Sequence, residues 1–334
     1  MVQSLGIGIG AGLVSALLFG VLLKATPLAI VLYLLAPLPI LIVGLGWSHK
    51  AALTAAATGT AALAIFVSPF LGLGFSAYLA VPAWWLAYLA LLGRPGADGS
   101  LEWYPTGRLL GWTAATAALA FVAIAVIASP NYDTFQSQLR EMSGSLVQLQ
   151  TRGASAPENP ATPDQAPPSS PGAGASAPPA GDQKAEVADA LARIAPALAT
   201  QGLALLLTLY LWAAARIVQI SGRLPRPWPD LPSTMMPRTV LVLLAASVIL
   251  GFLPGYAGVL GMALAGSLSA AFALQGLCAF HDRSRGRPAR GALLFGLYLI
   301  LFVTQGIALF ALTLFGIADT ALNLRRPKEG AGRP

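Results

Sequence analysis

The stretch TVLVLLAASVILGFLPGYAGVLGMALAGSLSAAFALQGLCAF, residues 239–280, decides the class of this protein, because 42 consecutive positions pass without a formal charge. A basic turn follows, HDRSRGRPAR at 281–290, and then 28 more uncharged residues from Gly291 to Ala318. Hydrocarbon about 30 Å thick takes roughly 20 apolar residues of helix to cross. Backbone inside it must satisfy its own hydrogen bonds. The first run therefore reads as a helical hairpin broken at Pro254 and Gly255, with helices near 239–253 and 257–280. The second reads as one further span over 291–317.

Composition carries the same message to the rest of the chain. Of 334 residues, 56% are hydrophobic and 10% charged, and the mean hydropathy is +0.70. Soluble domains run at about 25% charged, and a large soluble protein with buried helices would still need a charged exterior. The net charge of +7 comes from 20 Lys and Arg against 13 acids. These basic residues sit at the ends of apolar runs, as membrane topology requires, without the basic and aromatic interleaving of a nucleic-acid surface. Nucleic acid is therefore not an expected partner; the lipid bilayer is. Cys278, the sole cysteine, lies within an apolar run and excludes a disulfide framework. The first apolar run has no basic residues before it and no cleavage site after it, so it is expected to remain as a span.

From the N-terminus, residues 1–130 hold five expected spans: 4–23, 28–46, 51–67, 74–92 and 109–128. In the first, Ser4, Gly8, Gly12, Ala16 and Gly20 recur at spacing four and share one helix face. Small residues there admit a second backbone, as membrane helices need when lipid supplies no hydrophobic drive. The helix on that face lies either within the chain or on a partner membrane protein. Pro37 and Pro39 should bend the second span. The cluster Trp84, Trp85 and Tyr88 reads either as an interfacial belt or as a cavity wall. Residues 131–150 place Phe135, Leu139, Met142 and Leu146 at three- and four-residue spacing, the pattern of an amphipathic helix. Residues 151–184 are Pro-, Ala-, Gly- and Ser-rich and read as a disordered tether. A four-span half follows at 185–318 (194–215, then the opening block), with a polar tail at 319–334. The fold class is thus all-α, a polytopic transmembrane bundle of about nine spans, or eight plus a re-entrant segment.

Charge distribution sets the orientation. With a cytoplasmic N-terminus, nine spans put Lys50 and the segments 94–108, 216–238 and 281–290 on the cytoplasmic side, together 11 of the 20 basic residues. One conflict remains. Nine spans also send Arg325, Arg326 and Lys328 to the opposite side, against the pull of the anionic inner leaflet.

The expected hydrocarbon contains no clear Asp, Glu, Lys or Arg, which argues against an ordinary proton-coupled transporter. Gln275, Gln305, Trp84, Tyr88 and His281 remain as candidates to line a solute cavity, beside the plainer reading that a buried Gln joins two helices. Asp282 stands next to His281, where it would orient or charge the ring. No HExxH, CxxC, GxSxG or Walker A pattern occurs, and Gly6, Gly8 and Gly10 follow no strand. Two histidines supply too few ligands for a metal, with Asp282 and Asp319 a span apart. No catalytic residue, cofactor or metal is therefore expected, and the chain is not expected to be an enzyme.

The run Gly316-Ile317-Ala318-Asp319 continuing to Leu324-Arg325-Arg326, and Leu274-Gln275-Gly276-Leu277 leading to His281, resemble the YybS-like family of uncharacterised bacterial polytopic membrane proteins. The resemblance covers residues 1–325 apart from the tether, and implies a multi-pass protein of the bacterial inner membrane without supplying an activity. More remotely, the chain is similar to the substrate-binding membrane subunits of energy-coupling-factor transporters, which dock through a small-residue face on their first helix. The Ser4-to-Gly20 stripe occupies a comparable place; the extra spans and the tether depart from that pattern. The functional expectation is a non-enzymatic inner-membrane protein that binds or helps transport a small or amphipathic solute. The alternative is a scaffold of an envelope assembly.

Overall fold

Proline and glycine punctuate the apolar runs, and the helices begin and end at them. A computed structural model describes residues 2–24, 26–97, 99–154, 180–304, 306–323 and 325. Helix α1 (Val2–Gly20) ends in a 3₁₀ turn at Lys24. The second run is split by Pro37 and Pro39 into α2 (Pro27–Leu35) and α3 (Leu38–Gly46). Ser48 caps α4 (His49–Phe66), and Ser68 caps α5 (Pro69–Phe75), each hydroxyl accepting from an N–H three residues on. A π-helical turn at Ser76–Ala80 joins α5 to α6 (Val81–Ala90). Pro82 accounts for that turn, since it lacks an N–H and its ring crowds the carbonyl four residues back.

The expected polar loop forms a small antiparallel ribbon, β1 (Gly93–Pro95) with β2 (Leu101–Trp103), closed by an Arg94–Glu102 ion pair at 2.8 Å. The remaining helices are α7 (Thr106–Ala128), α8 (Tyr132–Ala154), α9 (Ala180–Ile220), α10 (Thr239–Leu250), α11 (Gly255–Arg283), α12 (Arg290–Thr304) and α13 (Gly306–Leu322). Between α10 and α11, Gly255 takes a φ of 74°, open to glycine and strained for other residues.

Among the described residues, six helical stretches are long and apolar enough to cross a membrane: Gln3–Lys24, Pro27–Gly46, Pro69–Ala90, Thr106–Ala128, Ala185–Ile220 and Gly255–Arg283. Apart from the small ribbon, the described residues form helices and their connections, and the six stretches mark a multi-pass membrane protein. Helix α4, expected as a span over 51–67, is not among the six. It is rich in Ala and Thr and buries Ala51, Ala52, Ala55, Ala56 and Gly59 inside the bundle. A helix face packed on other helices does not need the large apolar side chains that face lipid.

The expected single span over 291–317 is instead two helices, α12 and α13. The direction of α13 follows from its contacts with α11, and that of α12 from the path the chain must take to reach the start of α13. The Thr313 hydroxyl donates to the Ser269 carbonyl (3.1 Å), Gly316 packs on Phe272, and Gln275 donates to Asp319 (3.1 Å). Positions on the two helices advance together, so α13 runs parallel to α11 and α12 is the return stroke between them.

The chain divides into two compact units, Met1–Ala128 with Ala197–Pro334, and Ser129–Pro196. The two halves expected on either side of the tether therefore form one unit. Its principal core gathers Ile40, Leu41, Phe75, Leu86, Leu207 and Val218, and a second cluster joins Leu110, Met236, Leu268 and Phe272. The second unit contains α8 and the beginning of α9, with an Arg140–Asp189 ion pair at 3.1 Å. The segment expected as an amphipathic helix is helical, with Phe135 buried and Met142, Leu146 and Leu149 exposed. The tether falls largely outside the described residues, as do Gln305, Arg326 and Lys328.

Candidate functional site

Segment 221–238 organises one end of the first unit. Pro225, Pro227, Pro229, Pro232 and Pro237 offer no N–H, so the segment has few backbone donors to satisfy, but its carbonyls still need partners. It is laid across the ends of five helices. The Arg223 guanidinium stacks on Trp47 after α3 (4.5 Å), and Arg226 donates to the Ala90 carbonyl that ends α6 (3.1 Å). Thr234 pairs its hydroxyl with Thr106 at the start of α7 (3.2 Å), and Asp230 accepts from Arg285 after α11 (3.0 Å). Arg325, beyond α13, donates to the carbonyls of Pro232 (2.6 Å) and Thr234 (2.7 Å). The expected cytoplasmic segments thus share one face, and Arg325 joins them there. Of the conflicting tail, Arg325 is on the face of the basic segments, while Arg326 and Lys328 lie outside the described residues.

A buried polar network fastens this face. Asp319 is fully buried and holds Arg325 through Nε at 2.9 Å and a terminal nitrogen at 2.6 Å. The Gln275 carbonyl accepts from the Met236 N–H (2.9 Å), and its amide nitrogen donates to Asp319 (3.1 Å) and Thr320 (2.6 Å). Thr320 in turn donates to Gly316. The side chain of Gln275 has an acceptor and two amide hydrogens to satisfy, and each finds a partner. Arg238 donates to the Ala321 carbonyl at the C-terminal end of α13, where the helix dipole favours a cation. Gln275 is therefore a helix-joining residue here. The charged pair was missed in the sequence because Asp319 follows directly on an apolar run and reads as a wetted helix end. The available signal was Gly316 three residues earlier, on the same face.

Beside the network lies a cavity of about 360 Å³. Leu109 and Thr113 of α7, Thr208 and Trp212 of α9, and Leu274 and Leu277 of α11 form its walls. Its roof is the proline-rich segment, through Leu224, Arg226, Trp228 and Leu231. The threonines offer little polarity: Thr113 donates to the Leu109 carbonyl (3.0 Å) and Thr208 to that of Ala204 (2.8 Å), while Thr106 and Thr234 pair with each other. Arg226 is the one charged residue among those lining the cavity, and no acid accompanies it there. Desolvation holds its pKa below the ordinary arginine value.

Of the residues expected to line a cavity, Gln275, Trp84, Tyr88 and His281 do not border this one, and Gln305 lies outside the described residues. Trp84 and Tyr88 stack within an aromatic cluster that includes Trp85, and Tyr88 also meets His49. Trp84 Nε1 is buried without a hydrogen-bond partner. His281 places Nδ1 3.0 Å from the Leu277 carbonyl and Nε2 3.3 Å from the Tyr298 hydroxyl. Asp282 pairs with Arg285 instead of orienting His281. The small-residue stripe packs inside the chain. A side chain on Gly8 or Gly12 would strike the Ala51 or Ala55 carbonyl of α4, Ala16 is buried, and Gly20 lies near Leu63. The face proposed for a partner is thus largely occupied by α4. Among the described residues there is no group of three His, Cys, Asp or Glu placed to hold a metal. Comparison of the chain with protein-family models, with curated proteins and with solved structures found no match in any of the three.

Proposed function

We propose that this protein is a non-enzymatic, multi-pass protein of the bacterial inner membrane that binds a small apolar or amphipathic molecule in the cavity beneath segment 221–238. The carrying observation is the cavity itself: about 360 Å³ of apolar space, walled by α7, α9 and α11. Small-molecule sites run from about 300 to 1,000 Å³, with a few placed polar groups. The roof is a separate segment pinned by side-chain bonds, which gives a ligand a route that leaves the helices in place. A non-catalytic role is favoured because the buried charged and amide groups nearby, Asp319, Arg325 and Gln275, are bonded to one another. The same reading takes the resemblance to the YybS-like family as a statement about architecture.

In this proposal both ends of the first unit's helical path return to the basic face, with α12 and α13 as a short hairpin. At 15 and 17 residues, they fall below the roughly 20 needed for a full crossing. The test is to purify the protein in mild detergent and measure bound small molecules by native mass spectrometry. Thr208→Trp, which fills the cavity, should lose a ligand that the parent chain retains. A parent chain free of any bound apolar species after gentle extraction would sink the reading.

The scaffold reading keeps one supporting observation, the exposed Met142, Leu146 and Leu149 on one face of α8. The stripe on α1 no longer supports it.

A further inference from the structure

The proposed ligand can be given a chemical class, an inference that rests on the cavity being a binding site. Three observations constrain it. First, the wall is apolar in effect as well as in composition, because Thr113 and Thr208 direct their hydroxyls to their own helix backbones. Little on the wall is left to recognise a sugar, a nucleotide or an amino acid, and a hydrocarbon chain meets no unpaired threonine hydroxyl.

Second, the cavity carries one fixed positive charge. Arg226 donates to the Ala90 carbonyl, but a guanidinium has five N–H donors. Among the described residues no carboxylate lies within ion-pair distance of it. A partly desolvated cation is most stable beside an anion with which it forms charge-assisted hydrogen bonds.

Third, the cavity borders an exposed apolar face of α9, a helix long and apolar enough to cross a membrane. Leu209 and Trp212 line it and are nevertheless 53% and 47% exposed on α9. At the end of the same helix, Arg216 lies 5.0 Å from the ring of Trp228, another lining residue. Tryptophan and arginine at the end of a span mark the headgroup level.

We propose that the cavity holds one acyl chain of a bilayer lipid with an anionic headgroup, which enters beside α9 and sets its phosphate or carboxylate on Arg226. The chain lies against Leu109, Leu274 and Leu277, and Arg216 stands at the rim. Free phosphate would satisfy the guanidinium but leave the apolar space unfilled, so the lipid is the better match.

The test titrates detergent-purified full chain with phosphatidylglycerol, with phosphatidylcholine of the same chain length, and with inorganic phosphate, reading bound lipid by native mass spectrometry. One phosphatidylglycerol should be retained, with an affinity on the order of tenfold above phosphatidylcholine. Arg226→Gln should bring the two lipids level, and Arg226→Lys should keep most of the preference, while Thr208→Trp should lose both. Melting curves confirm that each variant is folded; if Arg226→Gln fails to fold, the lipid comparison on the parent chain and on Arg226→Lys decides. Equal retention of both lipids by the parent would overturn the anionic assignment and leave the cavity reading standing. Retention unaffected by a folded Thr208→Trp would remove the cavity reading as well. Displacement of phosphatidylglycerol by millimolar inorganic phosphate alone would assign the site to a free anion and overturn the lipid proposal.

Discussion

Asp319 and Arg325 bring opposite charges into a region where neither meets much water. Buried pairs of this kind contribute little over an apolar filling of the same shape, yet removing one partner leaves an uncompensated charge. Asp319→Asn or Arg325→Met should each lower stability by about 3–5 kcal/mol, read as a drop in the unfolding midpoint in detergent. Arg325→Lys should restore only part of it, since an ammonium cannot span the carboxylate and the two carbonyls of Pro232 and Thr234 together. At Asp230 the interaction is exposed and smaller. Hydrogen bonds from Arg285 hold its carboxyl below the usual range, against a weaker upward pull of burial. A depressed folded value stabilises above the unfolded one, about 4, and the contribution is lost as pH falls through the folded value. Protection of residues 224–234 in hydrogen exchange should therefore stay flat from about pH 8 to about pH 5 and fall only in stronger acid. Asp230→Asn should abolish that acid step.

Among the elements, glycine at helix crossings decides the packing. Gly276 and Gly316 meet where α11 and α13 cross, and a side chain on either would collide with the Leu312 or Phe272 carbonyl. Gly12 does the same between α1 and α4. Gly316→Leu and Gly12→Leu should each cost at least the roughly 1–3 kcal/mol of overpacking. Both should show as aggregation or early melting of the isolated chain, and not merely as loss of a partner during co-purification. The stripe from Ser4 to Gly20 was legible as a packing face because spacing alone puts residues on one side of a helix. Which helix covers it was not legible, because that depends on tertiary arrangement. The hairpin of α10 and α11 could be read from Pro254 and Gly255. The division into α12 and α13 could not: 291–317 contains no proline, and a glycine that opens a helix, as Gly306 does, looks the same as one that admits a neighbouring helix. The cavity was hidden for a related reason. Its walls are ordinary leucines, and the charged residue that distinguishes it lies in a loop, where Arg226 counts only toward orientation.

For the whole molecule, the side on which the chain's last described residue lies separates the present arrangement from nine straight crossings. Arg325 is bonded to the backbone of the Arg-rich segment, so an accessibility tag placed after residue 325 should report the same side as one inserted at Ser221. Labelling of the two from opposite sides of sealed vesicles would contradict the return of α13 and reinstate a single span over 291–317. Membrane character and the basic orientation signal were plain from the charge-free runs. The length of the crossing path was not, because short apolar helices and long ones have the same composition.

The Asp319–Arg325 clasp also has a meaning in time. A ribosome makes segment 221–238 about a hundred residues before it makes Arg325, so during insertion the carbonyls of Pro232 and Thr234 wait for a donor that has not yet been synthesised. Chains cut short ahead of position 319 would leave this arginine-rich segment unfastened and easier to cleave than in finished chains. An early stop codon should therefore speed proteolysis of the chain, read by pulse-chase, even though the six long apolar helices precede position 319.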